Sequence, residues 1–251
     1  MFFWLPILLG LIQGITEFFP VSSSGHLVLI EKIFKLNCDL NLLNVILHFA
    51  TLLAVLIYYR KTLFYLICHP LCKMNKYLVI ATIPAVMFVL LLHNLIENYL
   101  TSTVTLAIGF FISAIFLIVG IICSKKFTPT PLNYKNVVIM GIAQSLAIFP
   151  GLSRSGTTLS FGLMCGTEKS SAIDFSFLMS IPIIFASLVY ELLYSPLETS
   201  SLGIFSLVLA FFTAFVTALI CIKVIKKLSK GDKLIYFVPY LVLLGIITFF
   251  I

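Results

Sequence analysis

Glu17, Ser22, Ser23, Ser24 and His26 crowd into one stretch of the chain, and Ser153, Arg154, Ser155 and Thr158 into another. In the first, a carboxylate can hold a cation, the hydroxyls offer nucleophiles, and the imidazole is a base that titrates near neutrality. In the second, an arginine stands among serines where a helix is set to begin. Its planar fork, the hydroxyls and the exposed backbone N–H groups together suit an anion, phosphate above all. Gln13 and Glu17 lie four apart, on one helix face, so both can point into one cavity. A buried carboxylate needs a cation, and phosphate chemistry usually brings Mg2+ or Ca2+ on oxygen ligands. These groups together suit phosphoryl transfer or hydrolysis on a lipid-borne phosphate, with anion transport as the rival. A snorkelling arginine at an interface is the plainer reading of Arg154; the flanking Pro150, Gly151 and serines weigh against it. His48 and His93, single histidines in apolar runs, read as structural.

The two stretches are copies of one another. Shifted by 131 positions (141 − 10), Gly10 falls on Gly141, Gln13 on Gln144, Phe18 on Phe149, Ser22 on Ser153, Ser24 on Ser155 and Gly25 on Gly156. Ser and Thr can simply help helices pack. Two polar copies in register, in so apolar a chain, instead mark a site, because polar groups at membrane depth are costly.

The chain has 251 residues, 61% hydrophobic and only 10% charged, whereas a soluble domain is about a quarter charged. It therefore reads as an integral membrane protein, one domain over 1–251. The net charge of +7 comes from loop lysines and suits an anionic membrane face better than nucleic acid, which is not expected as a partner. The six cysteines are scattered, and the cluster Cys68, His69, Cys72 matches no zinc spacing. A removable signal peptide is not expected, since the apolar N-terminus has no basic stretch and no small-residue cleavage site.

Residues 2–19 and 27–36 are each too short to cross a bilayer, which takes about 20 residues. Joined by Pro20 and the serine turn, they predict a re-entrant hairpin, tolerated at depth only inside protein or around a water-filled cavity. Spans are expected at 42–59, 77–93 and 103–123. A second hairpin at 136–167, split at Pro150-Gly151, precedes spans at 174–194, 202–225 and 234–251. The fold class is thus an all-α polytopic membrane protein with an inverted-topology repeat, about 1–125 and 133–251. Each half holds one re-entrant helical hairpin plus three transmembrane helices. Basic loops hold Arg60, Lys61, Lys73 and Lys76; Lys125, Lys126 and Lys135; and Lys223, Lys226, Lys227, Lys230 and Lys233. The loops 94–102 and 195–201 have no Lys or Arg. Positive-inside bias places the basic loops in the cytoplasm, so the first hairpin enters from outside and the second from inside. Inverted repeats with broken helices meet near the midplane, where the two turns should converge on one site.

The run Gln13-x-x-x-Glu17, Pro20-Val21-Ser22-Ser23-Ser24-Gly25-His26, and later Pro150-Gly151-Leu152-Ser153-Arg154-Ser155-Gly156-x-Thr158, resembles the undecaprenyl-pyrophosphate phosphatase, or bacitracin-resistance, family. The likeness covers nearly the whole chain, including Phe175-Ser176-Phe177-Leu178 and Ile181-Pro182. It implies hydrolysis of undecaprenyl diphosphate to the monophosphate and inorganic phosphate in the bacterial cytoplasmic membrane. The carrier lipid is thereby recycled for peptidoglycan, at a site opening to the outer face. Bacitracin acts indirectly, by sequestering that substrate. On the family's pattern Glu17 is the essential carboxylate and Gln13 the weaker ligand of a divalent cation. Ser23 and His26 match a proposed catalytic serine and histidine, alongside Arg154. Ser22, Ser24 and Gly25, with Ser153, Arg154, Ser155, Gly156 and Thr158, match substrate binding. Ser24 stands where Thr is common and Asp174 where Glu is. Whether Ser23, a water or His26 attacks stays open, as does a homodimer. The family's likeness to inverted-repeat transporters keeps a lipid-flipping role as the alternative.

Overall fold

The computed structural model describes residues 4–35, 40–99, 102–194, 203–230 and 233–251; of residues 92–99 and 194 the backbone alone is described. Cys38, the loop 195–201 and the side chain of His93 lie outside the described residues. Among the described residues the regular elements are all helices, with one isolated bridge between Thr130 and Thr167.

Proline and hydroxyl residues punctuate the first hairpin. Helix α1, Leu5–Thr16, opens with Pro6, whose missing N–H is no loss in a first turn. A turn over 17–22 follows, containing Pro20. Helix α2, Ser23–Ile33, is capped by Ser22, whose side chain accepts from the Gly25 N–H. The second hairpin repeats the plan. Helix α7, Tyr134–Leu146, is capped by Asn133, and α8, Arg154–Met164, by Ser153, which accepts from the Gly156 N–H.

Between and after the hairpins run α3 (Asn41–Tyr58), α4 (Arg60–Cys68), α5 (Lys73–Tyr99), α6 (Thr103–Lys126), α9 (Lys169–Tyr194) and α10 (Ile204–Ser229). A 3-10 turn, Lys233–Tyr236, leads into α11, Phe237–Phe249. Five described helices are long and apolar enough to cross a membrane: α3, α5, α6, α9 and α10. The protein is thus a multi-pass helical membrane protein. The segment expected as a sixth span, 234–251, is shorter than the others; with its 3-10 turn it is an apolar unit over Lys233–Phe249. Helix α4 occupies a segment expected as a basic loop. It shows Phe64 and Ile67 exposed beside Arg60 and Lys61, an apolar and basic face that suits a membrane surface.

Helix α1 packs along α10 and α7 along α5, while α3 meets α9 and α6 meets α11. Each hairpin's first helix therefore leans on a long apolar span. Small residues permit this. A Cβ on Gly10 would lie 2.5 Å from the Ala210 carbonyl oxygen, and one on Gly14 2.6 Å from that of Ala214, a small-xxx-small contact on both helices. Asp174 on α9 accepts from Tyr59 Oη, just past the end of α3, and from Lys226 Nζ of α10, each at 2.5 Å. One carboxylate thereby ties three spans together.

Candidate active site

The turn between α1 and α2 and the turn between α7 and α8 meet. The first contributes Glu17, Ser22, Ser23 and Ser24 to one small cavity, with Thr16 beside them; the second contributes Ser153, Arg154 and Ser155, with Ala147 and Leu152. Ser155 Oγ donates to the Phe19 carbonyl at 2.8 Å, and Gly156 sits so close to Pro20 that a Cβ there would be 3.1 Å away.

The second turn is built on close backbone approach. Gly151 has φ +79°, a conformation that suits glycine. It packs into α6 at Gly109, where an added Cβ would stand 2.1 Å from the Pro150 carbonyl oxygen. Gly109→Ala should therefore cost about 1–3 kcal/mol, as overpacking does, and displace the arginine turn. Gly203, which has nothing within 4 Å of its Cβ position, is the control. Thermal melts in detergent check this, and equal behaviour of Gly109→Ala and Gly203→Ala would refute it. Ser113, unremarkable in the sequence, also anchors the turn: its Oγ accepts from the Ser153 N–H at 2.9 Å.

Glu17 is the hub. One carboxylate oxygen takes the Arg154 guanidinium; the other accepts from Ser23 Oγ at 2.7 Å and Gln13 Nε2 at 3.0 Å. The carboxylate is buried, where charge would be costly without these donors. The cavity holds about 50 Å³, room for a few waters only, because the Arg154–Glu17 pair spans it. A diphosphate must displace that pair. A larger cavity of about 490 Å³ lies elsewhere, beside Lys169 and Lys230, and contains none of the residues singled out.

Not every expected site residue reaches the cavity. His26 and Thr158 are not among its lining residues. Thr158 Oγ1 contacts the Arg154 carbonyl at 2.9 Å and Ser176 Oγ at 2.6 Å. His26 Nδ1 lies 2.6 Å from the Ser22 carbonyl oxygen and Nε2 2.6 Å from Tyr240 Oη. Gly25 and Gly156 serve packing: a Cβ on Gly25 would be 2.6 Å from the Phe110 ring. Conversely His48, read as structural, lies 2.9 Å from Gln13 Nε2 and 3.8 Å from Glu17 Oε2. The signal that could have found it is its place as a polar residue in an apolar span.

Glu17 and the Gln13 amide oxygen are hard oxygen ligands of the kind Mg2+ and Ca2+ take. Gln13 turns its Nε2 to Glu17 and is not among the cavity's lining residues, so its buried, unpartnered Oε1 would have to swing round to share a cation with Glu17. Among the described residues no group of three His, Cys, Asp or Glu could hold a metal, so phosphate oxygens and water would have to complete the shell.

Residues 6–247 match the family model described as bacitracin resistance protein BacA. The chain belongs to that family. Relatives align with it over nearly their whole length. An undecaprenyl-diphosphatase of Thermosipho africanus is 36% identical over 253 aligned positions, covering 98% of each chain. One of Methanococcus maripaludis is 36% identical over 244, covering 94% of this chain and 95% of its own. Undecaprenyl-diphosphatase 1 of Shouchella clausii is 34% identical over 260, covering 97% and 94%.

Proposed function

We propose that this chain hydrolyses undecaprenyl diphosphate to undecaprenyl phosphate and inorganic phosphate. The observation that carries the reading is the Ser23–Glu17–Arg154 arrangement: a hydroxyl 2.7 Å from a carboxylate whose other oxygen holds a guanidinium. When substrate enters, Arg154 turns from Glu17 to the terminal phosphate, joined by Ser153, Ser155 and the N–H groups that open α8. Glu17 then accepts the proton of Ser23, or of a water in its place. The oxygen so activated attacks the terminal phosphorus in line as the bond to the bridging oxygen breaks, and that electron pair leaves with undecaprenyl phosphate. If Ser23 attacked, Glu17 gives that proton to the departing undecaprenyl phosphate and, ionised again, takes the proton of the water that cleaves the phosphoserine. A divalent cation on Glu17 and Gln13 would offset phosphate charge. Positioning and electrostatics supply most of the rate, as is usual in phosphoryl transfer.

The two halves form an inverted-topology repeat in a single membrane domain, a reading supported by the equivalent packing of α1 on α10 and α7 on α5. In the cytoplasmic membrane, with its basic loops inside, the cavity opens to the outer face. There the product re-enters carrier-lipid recycling, and faster turnover of the lipid that bacitracin sequesters gives resistance.

Purified protein in detergent should release phosphate from a long-chain polyprenyl diphosphate, and EDTA should stop it. Release that survives thorough chelation would remove the metal role from Glu17 and Gln13. Lipid movement in liposomes that persists in Glu17→Gln, with no phosphate release from the wild type, would make the protein a flippase instead.

A further inference from the structure

The turn that carries Ser23 differs from its counterpart in where the left-handed backbone falls. In the second turn that residue is Gly151, at φ +79°. In the first it is Ser22, at φ 70° and ψ 100°, a conformation that a residue with a Cβ holds only where its surroundings impose it.

Ser22 is held by contacts from α2. Its Oγ accepts from the Gly25 N–H at 3.3 Å. Its carbonyl oxygen accepts from the His26 backbone N–H at 3.3 Å and lies 2.6 Å from His26 Nδ1. A carbonyl can only accept, so Nδ1 carries a proton. In the neutral ring Nε2 is then a bare lone pair, and Tyr240 Oη, 2.6 Å away, donates to it. The ring is fixed on two sides. Tyr240 lies nearly parallel to it at 5.7 Å, and Phe110 of α6 meets it edge-on at 5.9 Å. Both nitrogens are engaged, and His26 is not among the cavity's lining residues and is only 7% exposed.

We propose that His26 and Tyr240 are positioning residues. Together they clamp the Ser22 carbonyl, keep Ser22 in its left-handed backbone, and so hold Ser23 Oγ on Glu17. This departs from the catalytic role that the family resemblance implies for His26. It rests on the phosphatase reading for its kinetic readout. Helix α11 thereby gains a part in the site, since Tyr240, 214 positions from His26, sets the geometry of the first turn.

The test uses the full chain in detergent, with steady-state phosphate release from a polyprenyl diphosphate and nitrogen NMR of labelled histidine. His26→Asn keeps an N–H where Nδ1 stands and should retain activity within about tenfold, whereas His26→Ala, which frees the turn, should lose about 100-fold. Tyr240→Phe should lower kcat about tenfold with KM within about twofold, since ground-state binding is untouched. Ser22→Gly lowers activity by itself, but glycine adopts positive φ freely, so the His26→Ala loss should be smaller in that background by about tenfold. A histidine that moved the reacting proton would cost about 10²–10⁴-fold in every substitution, Asn included, and equally in both backgrounds; that result overturns the proposal. The NMR arm does not depend on activity. His26 should show a protonated Nδ1 and a bare Nε2 whose signal moves in Tyr240→Phe, and an Nε2 signal that stays put is equally fatal. If His26→Ala does not fold, His26→Asn and the NMR of Tyr240→Phe decide the matter. A wild type that releases no phosphate refutes the phosphatase reading, and the NMR arm still decides the clamp.

Discussion

Glu17→Gln should reduce phosphate release by about three orders of magnitude, within the range that loss of a general base costs. The amide keeps the shape of the side chain but cannot take the Ser23 proton, and it is a poorer cation ligand. It also leaves Arg154 without its carboxylate. Removing one partner of a buried ion pair costs about 3–5 kcal/mol, because the other charge is stranded. The variant should therefore melt earlier in detergent as well as lose activity. Gln13→Ala, which removes only one of the donors to Glu17, should lose far less. Phosphate release by Glu17→Gln within about tenfold of wild type would end the proposed base role.

Arg154→Lys should cost about 10²–10³-fold in kcat/KM, the loss typical of removing one aimed donor to the developing charge. The substitution keeps the charge but replaces a rigid, planar fork with a compact, hydrated ammonium that cannot grip two phosphate oxygens in parallel. Arg154→Ala should lose at least as much, and it strands Glu17 in turn. Stability should then be coupled: the double variant Glu17→Ala, Arg154→Ala should lose less than the two single losses added, by about 0.5–3 kcal/mol. Strict additivity in chemical unfolding would mean that the two side chains do not pair in the folded protein. Activity of Arg154→Lys equal to wild type would mean that the guanidinium is not what receives the phosphate.

The convergence of the two turns is legible in the sequence because its signal is long-range in position but simple in form. A polar motif occurring twice in an apolar chain has to be buried against something, and Glu17 and Arg154 are each other's cheapest partner. The directions of individual side chains are not legible. Thr158 and His26 each stand four residues past the residue at which their helix begins, Arg154 and Ser22 respectively, hence about 6 Å further along the helix. At that depth a hydroxyl or an N–H falls onto the carbonyl four residues earlier, as Thr158 does on Arg154 and His26 on Ser22. The sequence motif carries no information on Tyr240, which comes from α11. His48 reads as structural because its polarity in an apolar span is the one local signal it gives, and its partner Gln13 is 35 positions away. Helix α4 is hidden for a different reason: it is nine residues long, shorter than the window over which periodicity can be read.

The interlocked turns have a consequence for how the protein is made. Arg154 follows Glu17 by 137 positions, so a ribosome reaches it on the order of ten seconds later. Throughout that interval the first hairpin has its carboxylate without the guanidinium, and the Phe19 carbonyl without the Ser155 hydroxyl. An unpaired charge is expensive at depth, so the nascent hairpin should wait near the aqueous interface and seat itself only when the second arrives. Chains released after residue 133, carrying Ser22→Cys in a cysteine-free background, should accordingly react with a water-soluble thiol reagent, while the complete chain, where Ser22 is buried, should resist it. The catalytic centre is then an event of late assembly, which no partial translation product can rehearse.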